Sequence, residues 1–241
     1  MKEFGLIGQN ISYSFSEKYF AEKFKKENIQ NSNYRIYDLK DIQEVHTIFQ
    51  NPDLKGFNVT IPFKEKIMEY LDELDPVAAE IGAVNCVKME NGRKKGYNTD
   101  AVGFENSLLS LLEFHHQNAL ILGDGGAAKA IKFVLHKHLI NYKSVTRKGD
   151  LRFSDLNESL LQTHTLIVNC TPVGTFPNVE DCPELPYEFI NSQHLLYDLI
   201  YNPEKTEFLK RGENHGAKIK NGLEMLVLQA EKSWEIWNSS L

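Results

Sequence analysis

Residues 119–130, ALILGDGGAAKA, constrain the fold more than any other stretch, because an apolar strand runs straight into a glycine cluster and then into an alanine-rich helix start. A strand ending in G-x-G lets the backbone turn sharply at Gly123 and lets a diphosphate approach at Gly125. It also leaves the first amide N–H groups of the next helix, at Gly126 and Ala127, aimed at an anion. Ala128 stands where the third small residue of that fingerprint packs helix on strand. Alone, the pattern serves equally well as a tight strand-to-helix turn, so its meaning depends on what flanks it.

The next strand, over 143–147, ends in Thr146, Arg147 and Lys148, with no acid before Asp150. A carboxylate there would take a ribose 2′-OH, whereas a guanidinium pairs with a 2′-phosphate in two-point geometry and stacks on adenine. The cofactor expected is therefore NADP(H) rather than NAD; the alternative is a solvated basic turn.

At 241 residues and 41% hydrophobic, the chain can bury an ordinary core in one large or two small domains. A formal net charge of −6 argues against a nucleic-acid partner, and the lysines of 23–26 read as the solvated face of a helix. Cys86, Cys170 and Cys182 lie far apart without C-x-x-C spacing, which suits reduced thiols in a cytoplasmic protein. The opening apolar run is too short for a signal peptide, and no run approaches the about 18 residues of a membrane span, so no membrane partner is expected. The histidine pairs 115/116 and 136/138 lack metal-site spacing with a carboxylate, and no metal is expected.

In chain order, strands over 4–8, 34–39 and 54–60 alternate with helices over 17–28 and 42–49, a β-α-β-α-β order that lays down a parallel or mixed sheet. Ser14 and Ser16 lie in a hydroxyl-rich loop, and Ser16 suits the cap of the first helix. Pro62 suits a first helical position, and Phe63, Ile67, Tyr70 and Leu74 recur at helical spacing, so a helix is predicted from Pro62. That places Lys64 in a first turn, where the macrodipole disfavours a cation. Such a lysine points to solvent or has a task that needs an amine. Asp75 and Pro76 start a short helix to 81, and strands 83–89 and 94–97 form a hairpin around Asn91-Gly92. Asn85 is an amide in an apolar strand, where it needs partners. Asp100, at the start of a helix to 112, suits the dipole of a first turn and on local grounds needs no other role. Further strands are expected over 165–169 and 194–200. Asn221 can cap a last helix with the apolar stripe Leu223, Leu226, Val227, Ala230, Trp234 and Trp237, flanked by Gln229.

Seven ordered segments, NVTIPFK (58–64), GAVN (82–85), NTD (98–100), GDGGAAKA (123–130), NCTPVG (169–174), YDLIYNPEKTEFL (197–209) and NGLEMLVLQA (221–230), resemble the shikimate dehydrogenase family from the first strand to the last helix. The resemblance implies NADPH-dependent reduction of 3-dehydroshikimate to shikimate. It implies Lys64 and Asp100 as the catalytic pair, Ser14 and Ser16 on the substrate carboxylate, and Thr60, Asn85, Tyr201 and Gln229 on the rest of the substrate. Gly222 and Met225 would lie against the nicotinamide. The chain departs from the family's HSxSP pattern in reading Tyr13-Ser14-Phe15-Ser16-Glu17, which keeps both serines. Asp124 adds a charge inside the glycine loop.

The expected fold is α/β in two domains flanking a cleft. Residues 1–99 with 221–241 form the substrate domain, and 100–220 form a Rossmann-like NADP-binding domain. Shikimate or 3-dehydroshikimate is the expected small-molecule partner of a monomer or homodimer. The rivals are a quinate or dual quinate/shikimate dehydrogenase, and a non-catalytic NADP-binding sensor, whose signature would be loss of Lys64 or Asp100.

Overall fold

A computed structural model describes residues 1–11 and 14–239, so Tyr13 lies outside the described residues. The chain divides into two compact units, Met1–Thr99 with Ala230–Leu241, and Asp100–Gln229.

The first unit runs β1 (Lys2–Gly8), α1 (Phe15–Lys26), β2 (Ser32–Asp38), α2 (Val45–Phe49), β3 (Leu54–Val59), β4 (Glu73–Leu74), α3 (Pro76–Ile81), β5 (Cys86–Glu90) and β6 (Arg93–Tyr97). Its sheet has the order β2-β1-β3-β5-β6-β4. β1 is parallel to β2 and β3, as helical crossovers require, and β5 then turns back antiparallel to β3. The Asn91-Gly92 hairpin forms as expected: both residues have positive φ, and Glu90 faces Arg93. Period-2 alternation sends Ile7, Phe57 and Val59 into one core, while Phe4 and Leu6 enter another with Phe20, Phe24, Tyr34 and Trp237.

The helix predicted from Pro62 does not form. The Lys64 carbonyl accepts the N–H of Val84 (2.8 Å) instead of an amide one turn on, and only a short 3-10 segment, Lys66–Tyr70, follows. Phe63 and Ile67 are still buried, so the apolar spacing marked core contacts rather than a helix, and Leu74 lies in β4. Lys64 is therefore free of the macrodipole conflict. Ser14, not Ser16, caps α1, its hydroxyl accepting the Ser16 N–H (3.2 Å). Lys23 is buried, not solvated, between Glu27 (2.6 Å) and Glu231 (2.8 Å).

The second unit contains α4 (Asp100–Leu108), β7 (Asn118–Leu122), α5 (Gly126–Lys137), β8 (Asn141–Val145), α6 (Glu158–Thr163), β9 (Leu166–Asn169), β10 (Leu195–Asp198), α7 (Glu207–Asn214) and β11 (Lys218–Lys220). The sheet order is β11-β10-β9-β7-β8, all parallel. β7, β9 and β10 are nearly continuous buried apolar runs, as strands covered on both faces must be. The chain leaves β7 for β8 on one side and then crosses back to β9 on the other, so the topological switch point lies at the carboxyl ends of β7 and β9.

The last helix, α8 (Leu223–Asn238), spans both units, the boundary falling between Gln229 and Ala230. Asn221 caps it, accepting the Leu223 N–H (3.3 Å). Its buried line overlaps the apolar stripe read from sequence only in part: Ala230 and Trp237 are buried and Trp234 packs on the same core, whereas Leu223 is 40% exposed and Met225, Gln229 and Ser233 are buried instead. Two polar residues thus occupy core positions.

Candidate active site

In the first unit, the expected site residues gather at the carboxyl ends of β1 and β3. Thr60 follows β3, its N–H held by the Ile7 carbonyl (2.9 Å), and its carbonyl takes the Phe63 N–H. Half-buried Lys64 is anchored through its main chain to Val84, next to Asn85. Asn85 lies just before β5 and is 2% exposed. Its amide orientation is set: Oδ1 accepts the Thr99 N–H (2.6 Å), and Nδ2 donates to the Thr99 hydroxyl (2.9 Å). Ser14 caps α1, and Ser16 is buried in its first turn.

Behind these residues runs a buried polar line that the sequence reading missed. Tyr34 donates to Asn58 Oδ1 (3.0 Å), and Asn58 Nδ2 donates to Ser233 Oγ (2.8 Å) and to the Asn85 carbonyl (3.2 Å). Ser233 in turn meets the Thr99 hydroxyl (3.1 Å). Burial drives the Tyr34 pKa well up, so its phenol keeps its proton and serves as a donor. The available sequence signal was Asn58 standing between Phe57 and Val59, an amide inside an apolar strand.

In the second unit, Gly123 leaves β7 at φ 97°, a conformation that favours glycine, and packs against Thr171 beyond β9, across the switch point. Gly125 is the N-cap of α5, and a Cβ built on it would meet no atom within 4 Å. That opening lies beside a helix start whose first amides, Gly126 and Ala127, have no intrahelical acceptors. Ala128 is fully buried, as close helix–strand packing requires. The residues therefore fit a dinucleotide diphosphate. Asp124 forms an ion pair with Lys132 on α5.

Thr146, Arg147 and Lys148 follow the end of β8, and Arg147 and Lys148 are exposed. Among the described residues no carboxylate pairs with Arg147, which leaves its guanidinium available for a phosphate. Asp100 opens α4 and is 6% exposed. Tyr201, beyond β10, is half-buried. Met225 and Gln229 are buried on α8, and the Gln229 amide donates to the Leu226 carbonyl (2.9 Å). Gly222 serves the fold directly: a Cβ there would stand 2.1 Å from the Leu199 carbonyl oxygen.

A second buried group went unremarked in the sequence. Asp198, at the end of β10, accepts from the Thr206 hydroxyl (2.6 Å), the Ile200 N–H (3.0 Å) and Asn169 Nδ2 (3.0 Å). Burial outweighs these donors and pushes its pKa up to about 6. Through Asn169, which also accepts from the Thr171 hydroxyl (2.6 Å), Asp198 ties the loops after β9 and β10 together. The buried histidines lie elsewhere. His116, His164 and His194 precede β7, β9 and β10, at the opposite end of the sheet, and burial lowers the pKa of each, so they serve as neutral loop anchors. None of the three cysteines forms a disulfide, and burial raises the Cys170 pKa, which leaves an inert thiol.

Among the described residues no group of His, Cys, Asp or Glu is arranged to hold a metal ion, and no helix is long and apolar enough to cross a membrane.

A family model for the shikimate dehydrogenase substrate binding domain matches residues 6–87. A Methanococcus maripaludis protein named shikimate dehydrogenase (NADP(+)) is 38% identical over 258 residues, covering 97% of this chain and 90% of the relative. A Clostridium beijerinckii protein of the same name is 36% identical, covering 98% and 92%. The structure of shikimate 5-dehydrogenase from Thermus thermophilus, in complex with NADP(H) and shikimate, matches with a TM-score of 0.88 at 29% identity, covering 100% of this chain and 95% of that one.

Proposed function

The chain belongs to the shikimate dehydrogenase family, and from that membership we propose that it catalyses the reversible, NADPH-dependent reduction of 3-dehydroshikimate to shikimate, a step of aromatic amino acid biosynthesis. The observation that carries the reading is identity of 38% along 97% of the chain with an enzyme of that name. Arg147, exposed beyond β8, supports NADP as the cofactor.

We assign the dinucleotide to the second unit, and the substrate to residues of the first unit together with Asp100, Tyr201 and Gln229 of the second. Gly123, Gly125, Gly126 and Ala127 would hold the diphosphate, and Thr146, Arg147 and Lys148 the 2′-phosphate. Gly222 and Met225 would lie at the nicotinamide, which when bound supplies the hydride. The former carbonyl oxygen then needs a proton, and Lys64 is assigned to deliver it, with Asp100 as the second catalytic residue. Ser14 and Ser16 would take the substrate carboxylate, and Thr60, Asn85, Tyr201 and Gln229 its hydroxyls. Donors and acceptors already locked in place suit a polyhydroxylated substrate, because an analogue lacking one hydroxyl leaves a buried polar group unpaired. The reading places the enzyme in the cytoplasm, as a monomer or homodimer.

The test is the initial rate of NADP⁺ reduction with shikimate, run beside quinate and beside NAD⁺. Turnover with shikimate and NADP⁺ well above the other pairs is expected. Faster turnover with quinate or NAD⁺ would move the assignment to a quinate dehydrogenase. Absence of turnover in folded, NADPH-binding protein would leave a sensor.

A further inference from the structure

We propose that Tyr34, Asn58 and Ser233 are positioning residues that hold Asn85 in the orientation the substrate meets; the inference rests on the functional reading above. The three come from β2, β3 and α8, and they are only 5%, 4% and 0% exposed. They lie on the face of the sheet that otherwise holds Phe4, Phe20, Phe24 and Trp237. Placing an amide and two hydroxyls there is unfavourable unless every group is paired, and apolar side chains would fill the same space without that cost.

What the polar groups add is orientation. Flipping the Asn58 amide would turn its Oδ1 against the Asn85 carbonyl, acceptor against acceptor, and would force the Tyr34 and Ser233 hydroxyls to reverse their roles. So held, it grips Asn85 twice. It reaches the Asn85 main chain directly, and it reaches the side chain through Ser233 and Thr99. At the other end, Tyr34 donates to Asn58 Oδ1 and so anchors the line on β2. Asn85, assigned to the substrate's hydroxyls, is thereby set by one hydrogen-bonded line. None of the three positioning residues is assigned to the substrate itself.

The test uses Tyr34→Phe and Ser233→Ala, each of which deletes a single oxygen, and the double variant, with both KM values and kcat measured for shikimate and NADP⁺. Each single change is expected to raise the shikimate KM roughly fivefold to tenfold, the worth of about one hydrogen bond, with kcat within about threefold and the NADP⁺ KM unchanged. Because both changes act through Asn58, the double variant is expected to fall clearly short of the product of the two singles. Shikimate KM values within about twofold of wild type, KM values rising together for both ligands, or effects that multiply in the double variant would each overturn the inference. Failure of the unmodified enzyme to turn over shikimate would instead remove the functional reading, and the inference with it.

Discussion

The carboxyl ends of the two sheets are built from different materials. In the second unit, the candidate dinucleotide end is made of backbone: a glycine at φ 97°, an open position at Gly125 and the bare amides that start α5. In the first unit, the candidate substrate end is made of side chains whose settings depend on partners far away in sequence, such as Asn58 and Ser233, 175 residues apart. A diphosphate asks only for N–H groups and room, which local glycine spacing can provide. A small polyol asks for individually aimed donors and acceptors, and aiming them takes a supporting core.

The sharpest way to test that difference is to remove one side chain from the first unit. Lys64→Ala is expected to lower kcat by about 10²–10⁴-fold, the usual worth of a positioned acid, while NADPH affinity, read by fluorescence titration, stays near wild type. Near-normal kcat would remove Lys64 from the mechanism.

In the second unit the matching experiment uses backbone positions. Gly125→Val fills open space and should weaken NADP⁺ binding at least about tenfold while changing stability by no more than about 1 kcal/mol. Gly222→Ala places a methyl 2.1 Å from the Leu199 carbonyl oxygen and should cost about 1–3 kcal/mol of stability. Calorimetric titration and urea unfolding on both variants separate the two effects. Equal losses of stability would mean that Gly125, too, serves only the fold.

The same contrast explains what could be read from the chain. The glycine turn, the Asn91-Gly92 hairpin and the Asp75 cap depend on neighbours within a few residues, and the structure has each of them. The stretch after Pro62 reads as a helix because Phe63 and Ile67 are both buried, but a long-range bond from Val84 to the Lys64 carbonyl decides its backbone. On α8, apolar periodicity selects Leu223, which is exposed, and passes over Gln229 and Ser233, which are buried through polar partners. Thr99 carried no signal of its own, since its bonds to Asn85 close a 14-residue separation. Hydropathy patterns record which face is dry, and they are silent where a dry face holds paired polar groups.

Asp198 blurs the contrast, being a side-chain device within the backbone-built unit, and its titration can be isolated. Its pKa is raised from 3.8 to about 6, so between those values the folded chain keeps a proton that the unfolded chain has released. Its contribution to stability is therefore fully present below pH 3.8 and is lost as pH rises through about 6, an amount of about 3 kcal/mol. Other carboxylates, such as Glu105 and Glu231, have lowered pKa values and act in the opposite direction, so the wild-type curve alone does not isolate the effect. Asp198→Asn preserves the acceptor for Asn169 and Ile200, and the Thr206 hydroxyl can turn from donor to acceptor. The difference between wild type and this variant, from urea unfolding at a series of pH values, should fall steadily from pH 4 to 6 and flatten above. A flat difference throughout would mean that water reaches the carboxylate.

Asp124 gives the smallest effect and bears most directly on whether the dinucleotide end is a backbone site. Its carboxylate sits in the loop expected to carry a diphosphate, yet it is paired with Lys132, so much of its charge is already offset. If backbone amides dominate, Asp124→Asn should tighten NADP⁺ binding only about twofold to fivefold at low salt. The gain should shrink as added salt shortens the Debye length toward about 10 Å near 0.1 M ionic strength. Lys132→Ala leaves the carboxylate unpaired and should weaken binding by a similar factor, with the double variant returning close to Asp124→Asn. Calorimetry at two salt concentrations reads all three. A gain of a hundredfold in Asp124→Asn would mean that the loop's charge, rather than its backbone, governs the cofactor, and the two units would then be built on the same principle.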